Sequence, residues 1–206
     1  MAKTKKEIPK KKLTPREQME EDEKRLANRL SILKNTFKIP PAINQFRTCM
    51  NDHDTSKMID LFMHYKPETR AEKKKRLASE NPRAGPKPIL VKFGQKHVVN
   101  LIEQKKAKLV LIAADVDPIE HVVFLPTLCK KMGVPYAIVG QKALLGQLVN
   151  LKSATCVCLC EYSPTDSVAF KEAVTKANAI FGDCYETAMQ TWGGGVARKL
   201  VDEIKE

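Results

Sequence analysis

Apolar residues change their spacing several times along this chain, and the changes mark out its elements. The densest pattern runs from Ile89 to Glu161. A short apolar run, Ile89-Leu90-Val91, reads as a strand and is followed by Lys92-Phe93-Gly94-Gln95-Lys96-His97. Val98, Leu101 and Ile102 then recur at helical spacing up to Lys105-Lys106. Leu109 to Ala114 is unbroken apolar sequence, as expected of a strand covered on both faces. Asp117-Pro118-Ile119-Glu120 reads as a helix start: Asp117 caps, Pro118 sits where its missing N–H costs nothing, and Glu120 falls at the capping-box position. Val122, Val123, Leu125, Leu128, Cys129 and Met132 line that helix, Gly133 stops it, and Pro126, two turns in, should kink it. Pro135 to Val139 is the next strand, Lys142 to Leu148 a short helix, and Thr155 to Cys160 the last strand. Four strands alternating with three helices predict an α/β sandwich with helices on both faces of one sheet.

The flanks read differently. Thr14-Pro15-Arg16-Glu17 is a capping box that opens a helix to about Lys34, with Met19, Leu26, Leu30 and Leu33 on one thin apolar face. Lys38 to Phe46 is expected to be an extended linker, because Pro40 and Pro41 oppose a regular helix. Thr55 to Tyr65 predicts a second helix with Met58, Leu61, Phe62 and Tyr65 on its apolar face. Thr69 and Glu72 cap a third, from Ala71 to about Ser79, which carries Lys73-Lys74-Lys75-Arg76. Asn81 to Pro88 is a Pro/Gly-rich hinge. The expected domains are therefore a basic helical extension over 1–88, an α/β core over 89–190 and a tail over 191–206. Within the core, Thr165-Asp166-Ser167 starts a helix bearing Val168, Phe170, Val174 and Ala177, and 178–185 reads as a loop or broken helix around Gly182. Gly193-Gly194-Gly195 breaks the chain after Trp192, and Val196 to Ile204 predicts a last short helix. Trp192 is either a packing anchor, the commoner role, or a stacking surface for a base.

Charge changes the picture. Of the net +12, most lies outside the expected core: residues 1–88 hold 22 Lys/Arg against 12 Asp/Glu, and residues 89–206 hold 14 against 12. Basic arms of this kind suit a polyanion, since each neutralised phosphate releases counterions, although a solvated surface has the same composition. Met1 to Lys12 is charged and lacks an apolar centre, so no secretory leader is expected, and no run approaches membrane-spanning length. Cys156, Cys158 and Cys160 alternate on one predicted strand, which suits small apolar packing in a reduced interior rather than a metal array. Asp115 and Asp117 could form a metal pair, but Asp117 is better used as a cap and no third ligand follows. His97 and His121 have no neighbouring nucleophile at triad-like spacing, and Gly193 to Gly195 lacks the lysine-hydroxyl pair of a phosphate loop.

Three blocks in order, FKIPPAINQF, the stretch VKFGQKHVVNLIEQKKAKLVLIAADVDPIEHVVFLPTLCKKMGVPYAIVGQKALLGQL, and TWGGG, give the chain a resemblance to the kink-turn-binding RNA protein family, and within it to the eukaryotic members of the large ribosomal subunit. The resemblance covers about residues 35–201. It implies a three-layer α-β-α sandwich on a mixed four-stranded sheet, no enzymatic activity, no cofactor, and no small-molecule substrate or membrane contact. It further implies ribosomal RNA of the large subunit and neighbouring ribosomal proteins as partners, with residence in cytoplasmic ribosomes after nuclear or nucleolar assembly.

The family's site signature, G-x-N-E at a strand-to-helix junction, falls on Gly94, Gln95, Lys96 and His97, of which only Gly94 matches. Glycine there permits close backbone approach, and the free amides of a helix start suit a phosphate or base edge. Lys96 can still donate to a guanine edge, whereas His97 replaces a carboxylate that would accept from a base amino group. Lys92 and Lys142 resemble phosphate-contact positions, and Asn100 stands where relatives carry a basic or hydroxyl residue. The second contact element maps to the loop 150–154, with Asn150, Leu151 against an extruded base, and Lys152 at a phosphate; an ordinary surface loop is the alternative. Lys73, Lys74, Lys75 and Arg76 are expected either at phosphates or on a solvated face. The competing functions are a small α/β enzyme for a phosphorylated ligand and a protein of an RNA-modification particle. Steep salt dependence separates RNA binding from a small-ligand pocket.

Overall fold

The computed structural model describes residues 15–79 and 88–194. The basic tail 1–12, the hinge up to residue 87 and the helix expected over 196–204 lie outside them. The chain divides into two units, residues 1–39 with 193–206, and residues 40–192. The first holds helix α1 (Pro15–Thr36) and a two-way backbone bridge, Ile39 N to Gly193 O at 2.7 Å and Gly193 N to Ile39 O at 3.0 Å.

The second unit contains, in order, α2 (Pro41–Asn44), α3 (Asp52–Met63), α4 (Arg70–Ala78), β1 (Lys92–Phe93), α5 (Gln95–Glu103), β2 (Leu109–Ala113), α6 (Leu125–Met132), β3 (Tyr136–Val139), α7 (Lys142–Leu148), β4 (Cys156–Leu159), α8 (Ser167–Ala177) and α9 (Tyr185–Gln190). The sheet order is β1-β4-β2-β3. β2 and β3 run parallel, joined through α6, while β4 is antiparallel to both β1 and β2, so the sheet is mixed as expected. Every residue of β2, β3 and β4 is buried, which requires cover on both faces. Two helix groups provide it: α5 packs with α6, and α3 packs with α7 and α8.

Three local readings need correction, and proline explains two. The helix expected from Asp117 begins instead at Leu125; a 3-10 turn over Ile119–His121 precedes it, and no side chain caps that turn. Pro126 therefore lies in the first turn, where no intrahelical bond is lost and no kink follows. Likewise Pro40 and Pro41 start a short helix: Pro40 is extended at the N-cap and Pro41 is the first helical residue of α2. The strand expected at Ile89–Val91 is displaced to Lys92–Phe93, because the Val91 amide is used by the Tyr65 carbonyl at 2.9 Å. The loop or broken helix expected around Gly182 is found: α8 runs on as a π-helical turn over Asn178–Gly182, and the helix breaks at Asp183 and Cys184 before α9 begins at Tyr185.

The division of the chain also differs from the expected boundary at residue 88. Phe46, Met50, Met58, Leu61, Phe62 and Tyr65 belong to the same buried cluster as the sheet. At about 1.5–3 kcal/mol for each large apolar side chain removed from water, α3 is part of the core rather than an appendage. Tyr65 fastens it: its hydroxyl donates to Asp166 Oδ2 at 2.6 Å and accepts from the Ser163 amide at 2.8 Å. The predicted cysteine packing is seen at Cys156 and Cys158, both buried, with Cys160 half-buried just beyond β4. Of the two roles considered for Trp192, packing is not seen among the described residues, where it is 61% exposed.

Candidate nucleic-acid interface

Strand register brings three segments to one end of the sheet. Phe93 pairs with Val157, so Gly94, the next residue, lies beside Cys156 and the loop that precedes β4. Ile112 pairs with Cys156 from the other side, which puts the segment after β2 at the same end. Gly94 is the N-cap of α5 with φ +91°, and a Cβ built there would meet nothing within 4 Å. The glycine is thus required by backbone conformation rather than by crowding. No side chain caps α5 and no acid lies in its first turn, so its leading amides and the positive end of its dipole remain available to an anion.

The predicted residues are not equivalent. Lys96 and His97 are exposed on the first turn, and Asn100, also exposed, lies one turn beyond Lys96 on the same strip. Gln95 is half-buried, and its Nε2 donates to the His121 carbonyl at 2.8 Å, fixing the helix start against the 3-10 turn after β2. Lys92 is half-buried on β1, where it pairs with Cys158; burial pushes the Cys158 and Cys160 thiols up, and the Lys92 charge opposes this only in part. By strand register it lies two residues back along β1 from Gly94, opposite Cys158, apart from the exposed Lys96. Lys142 opens α7, and its amide donates to Asp115 Oδ1 at 2.6 Å while its carbonyl accepts from Ala154 N at 3.1 Å. Asp115 is therefore a helix cap in place of the metal ligand considered for it, and Lys142 closes the base of the 150–154 loop.

That loop is tightly shaped. Asn150 has φ +57°, and its Nδ2 donates to the Pro67 carbonyl at 2.8 Å. Leu151 N donates to the Gly146 carbonyl at 3.0 Å, and a Cβ at Gly146 would lie 2.7 Å from Leu151 O and from Ser153 Cα. Only glycine lets the loop cross α7 so closely. Leu151 is left 50% exposed, with Lys152 exposed beside it in sequence, so an apolar surface and a cation are both presented.

Pro67 leads into α4, whose start carries the expected capping box, Thr69 Oγ1 accepting from Glu72 N and Glu72 Oε2 from Thr69 N. Lys73, Lys74 and Lys75 are exposed. Arg76 is held in a fork by Glu68, with bonds of 3.0 and 2.8 Å, and the same contact lowers the Glu68 carboxyl pKa. The sequence reading missed the shaping residues: Gly146, Asp115, and the bonds from Gln95 and Asn150. A glycine inside a short helix was the one visible signal among them.

Fold and edge together define an α/β protein that offers a helix start, a shaped loop and exposed lysines to an anionic partner. Residues 79–170 match the family described as Ribosomal protein L7Ae/L30e/S12e/Gadd45, and the chain belongs to that family. It is 58% identical over 192 residues to Large ribosomal subunit protein eL8 of Encephalitozoon cuniculi, covering 93% of this chain and 92% of that protein. It is 47% identical over 190 residues to Large ribosomal subunit protein eL8A of Candida albicans, covering 87% and 73%. Against Large ribosomal subunit protein eL8 of Schizosaccharomyces pombe the identity is 46% over 181 residues, covering 84% and 70%.

Proposed function

We propose that this chain is a non-enzymatic structural constituent of the large ribosomal subunit. It binds ribosomal RNA through the α5 start at Gly94, Lys96, His97 and Asn100 and through Leu151 and Lys152, with Lys73, Lys74 and Lys75 at neighbouring phosphates. Gln95, Lys142, Asn150 and Arg76 act chiefly by shaping and steadying these segments, and Lys92 meets a phosphate farther along the sheet edge. The observation that carries the reading is the extent of the likeness to the E. cuniculi protein, which runs over 93% of the chain and so well beyond the 79–170 core that the family model spans. A protein of an RNA-modification particle would share the core alone.

The chain works in cytoplasmic ribosomes beside other ribosomal proteins and joins the subunit during nucleolar assembly. The test is sedimentation of the tagged full chain in a ribosome gradient. It should travel with the large subunit at low salt and be released at high salt, as a binder of many phosphates must. Recovery only in light, ribosome-free fractions overturns the reading.

A further inference from the structure

The inference concerns α1 and rests on the ribosomal reading. At about 1.5 Å per residue, this 22-residue helix is roughly 33 Å long. None of its described side chains is buried, and Met19, Leu26 and Leu30 expose 70%, 61% and 52% of their surface. Their spacing of seven and then four residues puts them on one face. Stabilisation within the helix includes two exposed ion pairs, Arg16 with Glu20 and Arg25 with Glu21, each worth about 0.3–0.5 kcal/mol. A helix of this length with so little of its own is marginal in water, so the apolar stripe needs a cover.

Charge decides which cover. Residues 17–23 hold five acids and no base, in a chain of net charge +12. Asp22 and Glu23 follow Met19 by three and four residues and so fall on the stripe itself, between Met19 and Leu26. Among the described residues neither has an ion-pair partner. RNA against the Met19–Leu26 half of this face would set phosphates on carboxylates, and a second copy in parallel would set acid against acid. Arg29, three residues beyond Leu26, leaves an antiparallel second copy as the competing cover, which the cross-link below separates.

We propose that α1 docks through Met19, Leu26 and Leu30 onto a segment of another protein in the particle, apolar and rich in lysine or arginine. Asp22 and Glu23 meet its cations, and the N-terminal half of α1 makes no RNA contact. Within a particle built on RNA, such a segment is drawn away from phosphate by the acids and held by the apolar stripe.

The experiment places a photo-cross-linking amino acid at Leu26, and separately at Leu30, in the tagged full chain, and isolates large subunits from a gradient before irradiation. The expected adduct joins α1 to a Lys/Arg-rich peptide of another protein. With Asp22→Asn and Glu23→Gln added, the adduct per incorporated chain should fall at least tenfold. An adduct with RNA, an adduct with a second copy, an unchanged yield in the neutralised variant, or no adduct in sedimenting subunits overturns the proposal. Failure of the unaltered chain to sediment with the subunit overturns the ribosomal reading, and this proposal with it.

Discussion

Asn150 and Pro67, 83 residues apart, are joined by a 2.8 Å hydrogen bond from the Asn150 side chain to the Pro67 carbonyl. It ties the loop before β4 to the segment that enters α4, so two of the proposed RNA-contacting segments share one fastening. Asn150→Gly keeps the left-handed backbone and removes only the bond. The expected loss is about 1 kcal/mol of stability, with RNA affinity falling several-fold. Urea melts and binding isotherms at one salt concentration measure the two. Unchanged affinity would mean that the loop and α4 act independently.

Gly146 is where the loop crosses α7 backbone to backbone. Gly146→Ala sets a methyl group 2.7 Å from Leu151 O and Ser153 Cα, neither of which can swing aside. The expected cost is about 2–3 kcal/mol, as for other overpacked sites. Gly133→Ala is the control, because that glycine has φ +71° and open space around its Cβ position, so only about 1–2 kcal/mol is expected. Equal costs in urea melts would show that the loop yields.

The α5 start separates shape from base reading. Gly94→Val forces a branched side chain to φ +91° and should weaken binding to kinked and straight RNA alike. Lys96→Asn with His97→Glu should instead raise the preference for a kink-turn over a duplex of equal length, because it restores an amide and a carboxylate acceptor. Paired isotherms decide. A strong kink-turn preference in the unaltered chain would show that Lys96 and His97 already read the kink.

The Tyr65–Asp166 bond makes part of the stability depend on pH. The Tyr65 hydroxyl, and then His64, hold the Asp166 carboxyl below its ordinary 3.8. That contribution is complete above the ordinary value and is lost as pH falls through the lower folded one. Burial, and then Asp166, push the Tyr65 hydroxyl above its ordinary 10.0, so its contribution is complete below that value and fades at higher pH. Tyr65→Phe should cost about 1–2 kcal/mol at neutral pH. The gap between wild type and variant should narrow below about pH 4 and again above about pH 10. A gap constant from pH 3 to 7 would remove the carboxylate from the account.

Thiol reactivity should sort by burial. Cys184 is exposed, Cys49 and Cys160 are half-buried, and Cys129, Cys156 and Cys158 are buried. Burial pushes the Cys129 thiol up to about 12 and raises Cys156 and Cys158 as well, so little thiolate is present at pH 8. In the native chain a thiol reagent should modify Cys184 quickly, Cys49 and Cys160 slowly and the others only on unfolding. Fast labelling of a residue in β4 would mean that the sheet opens locally.

The central sheet was legible because burial on both faces writes itself as unbroken apolar runs, as at Leu109–Ala113 and Tyr136–Val139. Helix starts at prolines were less so. Pro126 and Pro41 are compatible with the first turn of a helix as well as with its interruption, and only tertiary packing chooses between them. The edge strand moved because its neighbour Val91 was already hydrogen-bonded to Tyr65, a partner 26 residues away that periodicity does not encode. For the site, the residue types that meet solvent were readable, whereas the bonds that aim them, from Gln95 to His121 and Asn150 to Pro67, join segments far apart in sequence.

The placement of α3 in the core has a consequence in time. Met58, Leu61 and Phe62 are synthesised long before their cover in α7 and α8, and Tyr65 precedes Asp166 by 101 residues. At roughly 5–20 residues per second, the nascent chain carries this apolar helix uncovered for about 5–20 s, behind a strongly basic leading segment. Those seconds, spent amid RNA and other growing chains, are when the protein is most exposed to aggregation, and a chaperone that holds α3 through them would shorten no folding step yet preserve the yield.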